Sequence, residues 1–62
     1  MSQRDIEIDV EIHAETDLAY LVYDGKVEVW IPKSQITDYS EERGVITSIF
    51  ISEWLATQKG LT

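Results

Sequence analysis

From Asp5 to Ile12, polar and apolar side chains alternate without exception: Asp5, Glu7, Asp9 and Glu11 against Ile6, Ile8, Val10 and Ile12. A period of two is the mark of a half-buried β-strand, predicted here over residues 5–13 with the aliphatic side chains inward. Four carboxylates then stand in a row on the outer side, roughly 6.5–7 Å apart. Like charges at that spacing destabilise slightly unless cations or a partner offset them, and they discourage edge-to-edge pairing. His13 to Asp17 follow as a polar connector.

The next pattern is two apolar runs around Asp24-Gly25. Asp-Gly between apolar runs predicts a hairpin on a type I′ turn, since both central residues must accept positive φ. A two-residue loop then sets the register: Tyr23 faces Lys26, Val22 faces Val27, Leu21 faces Glu28, Tyr20 faces Val29, Ala19 faces Trp30 and Leu18 faces Ile31. One face carries Leu18, Tyr20, Val22, Val27, Val29 and Ile31, all apolar. The other is mixed: Ala19, Leu21, Tyr23, Lys26, Glu28 and Trp30.

Pro32 ends or kinks the second hairpin strand, because it lacks a backbone donor. Lys33-Ser34-Gln35 predicts a short turn or one turn of 3₁₀ helix, with Ile36 tucked back to the core. Residues 37–44 are polar and end in Gly44, and read as the exposed, most mobile loop. Val45 to Ile51 form another strand, rich in branched residues and apolar on both faces, hence central or covered on both sides. Ser52 is an N-cap for a short helix from Glu53 to Lys59, with Glu53 in its first turn and Gly60 as its stop. So short a helix must dock through Trp54 and Leu55.

These elements predict one small domain over residues 1–62. Its class is β-rich α+β: a strongly bent antiparallel sheet of about four strands, since long alternating runs and a terminal helix must share one core. An SH3-like partial barrel is the first choice and an open meander the second. The length lies near the lower limit for folding without staples.

Composition narrows the function classes. No cysteine is present, which excludes disulfides and thiolate-based zinc or iron–sulfur sites. No apolar run approaches the roughly 20 residues needed to cross a bilayer. Met1-Ser2-Gln3-Arg4 leads into acidic alternation instead of a signal-peptide core, so a cytoplasmic chain is expected. Net charge is −7, from 12 acidic and 5 basic side chains. That repels nucleic acid at long range and attracts basic partners, although such a charge also simply keeps a small domain soluble.

No arrangement carries catalysis. The comb of Asp5, Glu7, Asp9 and Glu11 offers similar, solvated positions, whereas an acid–base pair needs unequal ones. A straight strand cannot wrap calcium. His13, the one histidine, has no nucleophile elbow to serve, and Gly25, Gly44 and Gly60 form no phosphate-cradling loop. No enzyme, cofactor or metal site is expected. The mixed hairpin face is the remaining feature. A cover formed by the helix, with Trp54 against Trp30, is the expected arrangement, because large exposed apolar patches are uncommon. An open aromatic patch that anchors protein contacts is the alternative.

Two stretches, Val29-Trp30-Ile31-Pro32-Lys33-Ser34-Gln35-Ile36 and Ser52-Glu53-Trp54-Leu55-Ala56-Thr57-Gln58-Lys59-Gly60-Leu61, resemble paired motifs of small uncharacterised bacteriophage and prophage proteins. In that family a V-W-[I/L]-P-K-S-Q-I segment follows an Asp-Gly hairpin, and an [S/P]-E-W-[I/L]-A-x-x-K-G-L segment closes the chain. The resemblance covers less than a third of the sequence and leaves the acidic comb unmatched. It implies an intracellular phage-type accessory protein and carries no catalytic residue.

The leading expectation is therefore a non-enzymatic, acidic protein-binding module, one mode of action being inhibition of a nucleic-acid-handling host or phage protein. Its candidate contact residues are Glu7, Asp9 and Glu11 on the comb and Leu21, Tyr23 and Trp30 on the mixed face. One alternative is a single-stranded nucleic-acid accessory that stacks bases on Trp30 and Tyr23, with Lys26 and Lys33 as the nearby cations. Another is a structural protein that forms a homodimer. No membrane partner is expected.

Overall fold

The computed structural model describes residues 4–61. Met1-Ser2-Gln3, part of the stretch read as lacking a signal-peptide core, lies outside them. Six strand segments form where the sequence predicted about four: β1 (Asp5–Asp9), β2 (Glu11–Glu15), β3 (Ala19–Tyr23), β4 (Glu28–Pro32), β5 (Asp38–Glu42) and β6 (Val45–Ser52). A 3₁₀ turn at Lys33–Gln35 and a helix α1 (Glu53–Gln58) complete the described chain. The strands make two antiparallel three-stranded sheets, in the orders β1-β6-β5 and β2-β3-β4. No barrel closes. Among the described residues, no helix is long and apolar enough to cross a membrane.

The strand predicted over residues 5–13 is two strands in two sheets. β1 pairs with β6 and β2 with β3, and the chain passes between the sheets at Val10. The Val10 amide donates to the Thr47 carbonyl at 3.1 Å, so the corner keeps its backbone bond. Inward facing is preserved through the bend: Ile8 and Val10 are buried, and Ile6 and Ile12 pack against the core. The two strands thus form one edge of each sheet and are joined at Val10.

The hairpin forms, with its register moved by two. Val22 faces Val29, Leu21 faces Trp30, Tyr20 faces Ile31 and Tyr23 faces Glu28. The turn centres on Gly25-Lys26, one place later than predicted, with Gly25 alone at positive φ (103°). Glycine at the first central position suits a type II′ turn. The cause is Asp24, whose Oδ1 accepts from the Lys26 and Val27 amides at 2.8 Å each. Its side chain caps the turn instead of its backbone entering it. A shift of two leaves every face assignment unchanged, because the side-chain period is also two. Leu18 is the exception: it lies in the β2–β3 turn, 80% exposed, where the Thr16 hydroxyl accepts from the Ala19 amide at 3.0 Å.

Residues 37–44 are not a mobile loop. Asp38–Glu42 pair with β6 as a wholly exposed edge strand. Arg43 (φ 54°) and Gly44 (φ 81°) then make the two-residue turn, both at positive φ as a type I′ turn requires. β6 lies at the centre of its sheet, as its apolar run predicted. Lys33–Gln35 form the expected 3₁₀ turn, and Ile36 packs against the core.

The predicted cap and stop of the helix are present. Ser52 Oγ accepts from the Leu55 amide at 3.1 Å, and the Glu53 amide reaches the Arg4 carbonyl at 2.7 Å. At the other end Gly60 (φ 76°) donates to Thr57, and Leu61 donates to Ala56, which is a complete Schellman motif. Leu55, Ala56 and Leu61 join Val22, Ile31, Ile49 and Ile51 in the core. Trp54 does not; it is 56% exposed.

Candidate functional site

The comb is divided by the corner at Val10. Asp5, Glu7 and Asp9 stand on the outer face of the first sheet, opposite Ser52, Phe50 and Ser48 of β6. Beyond β6, Asp38 and Ser40 of β5 continue the same rows. Hydroxyls meet these carboxylates. The Thr37 hydroxyl donates to Asp5 Oδ2 at 2.9 Å, and the buried Ser48 hydroxyl donates to Glu7 Oε2 at 2.6 Å. The ion pairs among the described residues lie elsewhere, at His13 with Glu11 and Glu28 and at Lys33 with Glu15. Among the described residues, no ion pair neutralises Asp5, Glu7 or Asp9.

Glu11 belongs to the second sheet, directly opposite Tyr23, and Leu21 lies directly opposite Trp30. Four of the six predicted contact residues are thus cross-strand neighbours on one face. The expected cover is absent: α1 packs on β6, Trp30 is 44% exposed, and no ring contact joins it to Trp54 among the described residues. Helix register is the reason. Leu55 and Ala56 point to the core and carry Trp54 outward.

His13 is the side chain beside this face that the sequence pattern did not place. The β2 register skips it between Ile12 and Ala14, so it is the extra residue of a bulge. Bulges re-aim side chains. Here the ring stacks on Tyr23, with centroids 5.0 Å apart, and Nδ1 meets Glu28 Oε2 at 2.5 Å. Its Nε2 lies 3.6 Å from Glu11 Oε1. The hydrogen bond with Glu28, aided by Glu11, raises the imidazole pKa above its ordinary 6.5 against partial desolvation. Unbroken alternation through residues 5–12 gave no sign of a bulge at the next position.

Between the two outer faces lies a crease of about 230 Å³, lined by Asp9, Glu11, Tyr23, Asp24, Gly25 and Thr47. It joins the comb to the aromatic face through Asp9, while Glu7 sits farther along, held by Ser48. Backbone amides of Val27 and Lys26 hold the Asp24 carboxyl below its usual pKa, so this wall is anionic too. Among the described residues, no group of three or more His, Cys, Asp or Glu side chains could hold a metal ion.

The nucleic-acid candidates separate. Lys26 stays at the turn, but Lys33 donates to Glu15 at 2.5 Å and lies 4.8 Å over the Tyr20 ring. Tyr20 pairs with the buried Ile31, on the opposite side of the sheet from Trp30. What the arrangement offers chemically is an anionic, partly aromatic surface. Comparison with family models, curated proteins and solved structures gives no match.

Proposed function

We propose that this chain is a non-enzymatic protein-binding module whose contact surface runs from the carboxylates of Glu7, Asp9 and Glu11 across the crease to Tyr23, Leu21 and Trp30. The observation that carries it is the pair of cross-strand neighbours Glu11–Tyr23 and Leu21–Trp30, which make acid and aromatic groups one open face. Aromatic anchors ringed by charge are the surface from which binding hot spots are built. The partner is a protein with a basic patch beside an apolar side chain. Proteins that handle nucleic acid carry such patches, and an acidic competitor inhibits them by occupying the phosphate site.

On this reading the chain is a cytoplasmic accessory protein of phage type; the paired Trp motifs at residues 29–36 and 52–61 support that part. The continuous run from β1 to β2, which leads the chain from one sheet into the other at Val10, supports an SH3-like partial barrel as the parent shape. Two carboxylates, Glu11 and Glu28, flank the aromatic face, which argues against base stacking as its use.

The test is a triple reversal, Glu7→Lys, Asp9→Lys and Glu11→Lys. Asp9 and Glu11 are exposed, while Glu7 accepts from the buried Ser48 hydroxyl, so the thermal midpoint should fall by the loss of that one bond while circular dichroism still reports the folded sheets and binding to a captured partner is lost. Undiminished binding by the folded variant refutes the acidic face. Trp30→Ala should weaken the same complex by roughly 30-fold, the size of a hot-spot loss of about 2 kcal/mol.

A further inference from the structure

A second cleft, of about 300 Å³, opens where the inner faces of the two sheets diverge, away from the comb and the Trp30 face. Ile12 and Ile46 floor it, Glu15 and Tyr20 form one lip, and Tyr39 and Glu41 of β5 form the other. Each lip pairs a phenol ring with a carboxylate. Glu15 and Tyr20 are direct cross-strand neighbours, and Tyr39 and Glu41 are two residues apart on one side of an edge strand.

The first lip already holds a cation: the Lys33 ammonium donates to Glu15 Oε2 and sits over the Tyr20 ring. The second lip repeats the same pair of groups, and no ion pair or cation–ring contact among the described residues occupies it. Tyr39 is 51% exposed, and the ion pairs among the described residues do not include Glu41. We propose that this lip is a subsite for an arginine side chain of a protein partner, the guanidinium face lying on Tyr39 and its edge on Glu41. Arginine is chosen over lysine because its planar fork stacks on a ring and meets a carboxylate with two donors at once. The aliphatic floor accepts its methylenes. Nucleic acid offers no cation to such a pocket, so the subsite belongs to a protein. The inference rests on the reading of the chain as a module for basic proteins and names where one side chain of that partner goes.

The test is titration of the ¹⁵N-labelled full chain with N-acetylated, C-amidated Gly-Arg-Gly at low salt, read by amide chemical shifts. The citrulline peptide serves as the neutral isostere and the lysine peptide as the unforked cation. Saturable shifts centred on Tyr39, Glu41 and Ile46, with a dissociation constant in roughly the millimolar range, are expected. Citrulline should produce none, lysine should bind several-fold more weakly, and Glu41→Gln should weaken arginine at least fivefold. Both lip residues are exposed, so the variant keeps the fold, which the spectrum itself reports. Equal shifts from citrulline, equal affinity in the Glu41→Gln variant, shifts confined to the comb, or no shifts would each overturn the subsite. The triple reversal of Glu7, Asp9 and Glu11 should leave the peptide shifts in place. Peptide failure alongside reversal-sensitive partner binding removes the subsite and leaves the module standing.

Discussion

His13 is held by three neighbours at once: Glu28 and Glu11 by charge and Tyr23 by stacking. It ties β2 to β4 across the central strand. Because its folded pKa is raised above the unfolded value, the contact is fully stabilising below about pH 6.5 and is lost as pH rises through the folded pKa. The thermal midpoint should therefore fall between pH 6 and pH 9, and Glu28→Gln should flatten that fall. An unchanged pH profile in the variant would show that the clamp contributes nothing. Arg43 is the other residue under constraint, since a side chain at φ 54° is strained in a position that suits asparagine or glycine. Arg43→Asn should stabilise the fold by about 0.5–1 kcal/mol in urea denaturation, with an unchanged m-value. A loss of stability would mean that the guanidinium makes a contact worth more than the strain.

At the scale of elements, α1 shows what patterning can and cannot assign. Ser52 and Gly60 mark its ends because capping chemistry is local, and both positions were legible in the sequence. Which side docks was legible only in part: a six-residue helix offers too few turns for a stripe, so Leu55 was placed in the core correctly but Trp54 was placed there with it, where Ala56 and Leu61 belong. Trp54→Ser should cost less than about 0.5 kcal/mol, whereas Leu55→Ala should cost about 2–4 kcal/mol, measured by chemical denaturation. Equal costs would place Trp54 back on the sheet. The edge strand β5 was illegible for a related reason. All five of its residues are exposed, so burial imposes no alternation for a reader to find. The hairpin faces were legible although the register was not, because a shift of two residues changes partners and leaves sides alone.

At the scale of the molecule, β1 and β2 lie in different sheets, and the corner between them at Val10 decides what the comb becomes. Alternation alone extends a single row of four carboxylates; the corner instead leaves three over β6 and carries Glu11 to Tyr23. Nothing in a period of two registers that turn, since the inward facing of Ile8, Val10 and Ile12 runs through it unchanged. The result is a molecule with 5 basic against 12 acidic side chains, whose open aromatic face is bordered by the carboxylates of Glu11 and Glu28. Such a surface suits a basic protein better than a phosphate backbone. The most direct check is capture from bacterial lysate by tagged wild-type and triple-reversal proteins, each half treated with nuclease, with bound proteins identified by mass spectrometry. The account predicts a basic protein retained by the wild type after nuclease treatment and absent from the reversal variant. A bound set that survives the reversal, or one that disappears with the nucleic acid, would contradict it.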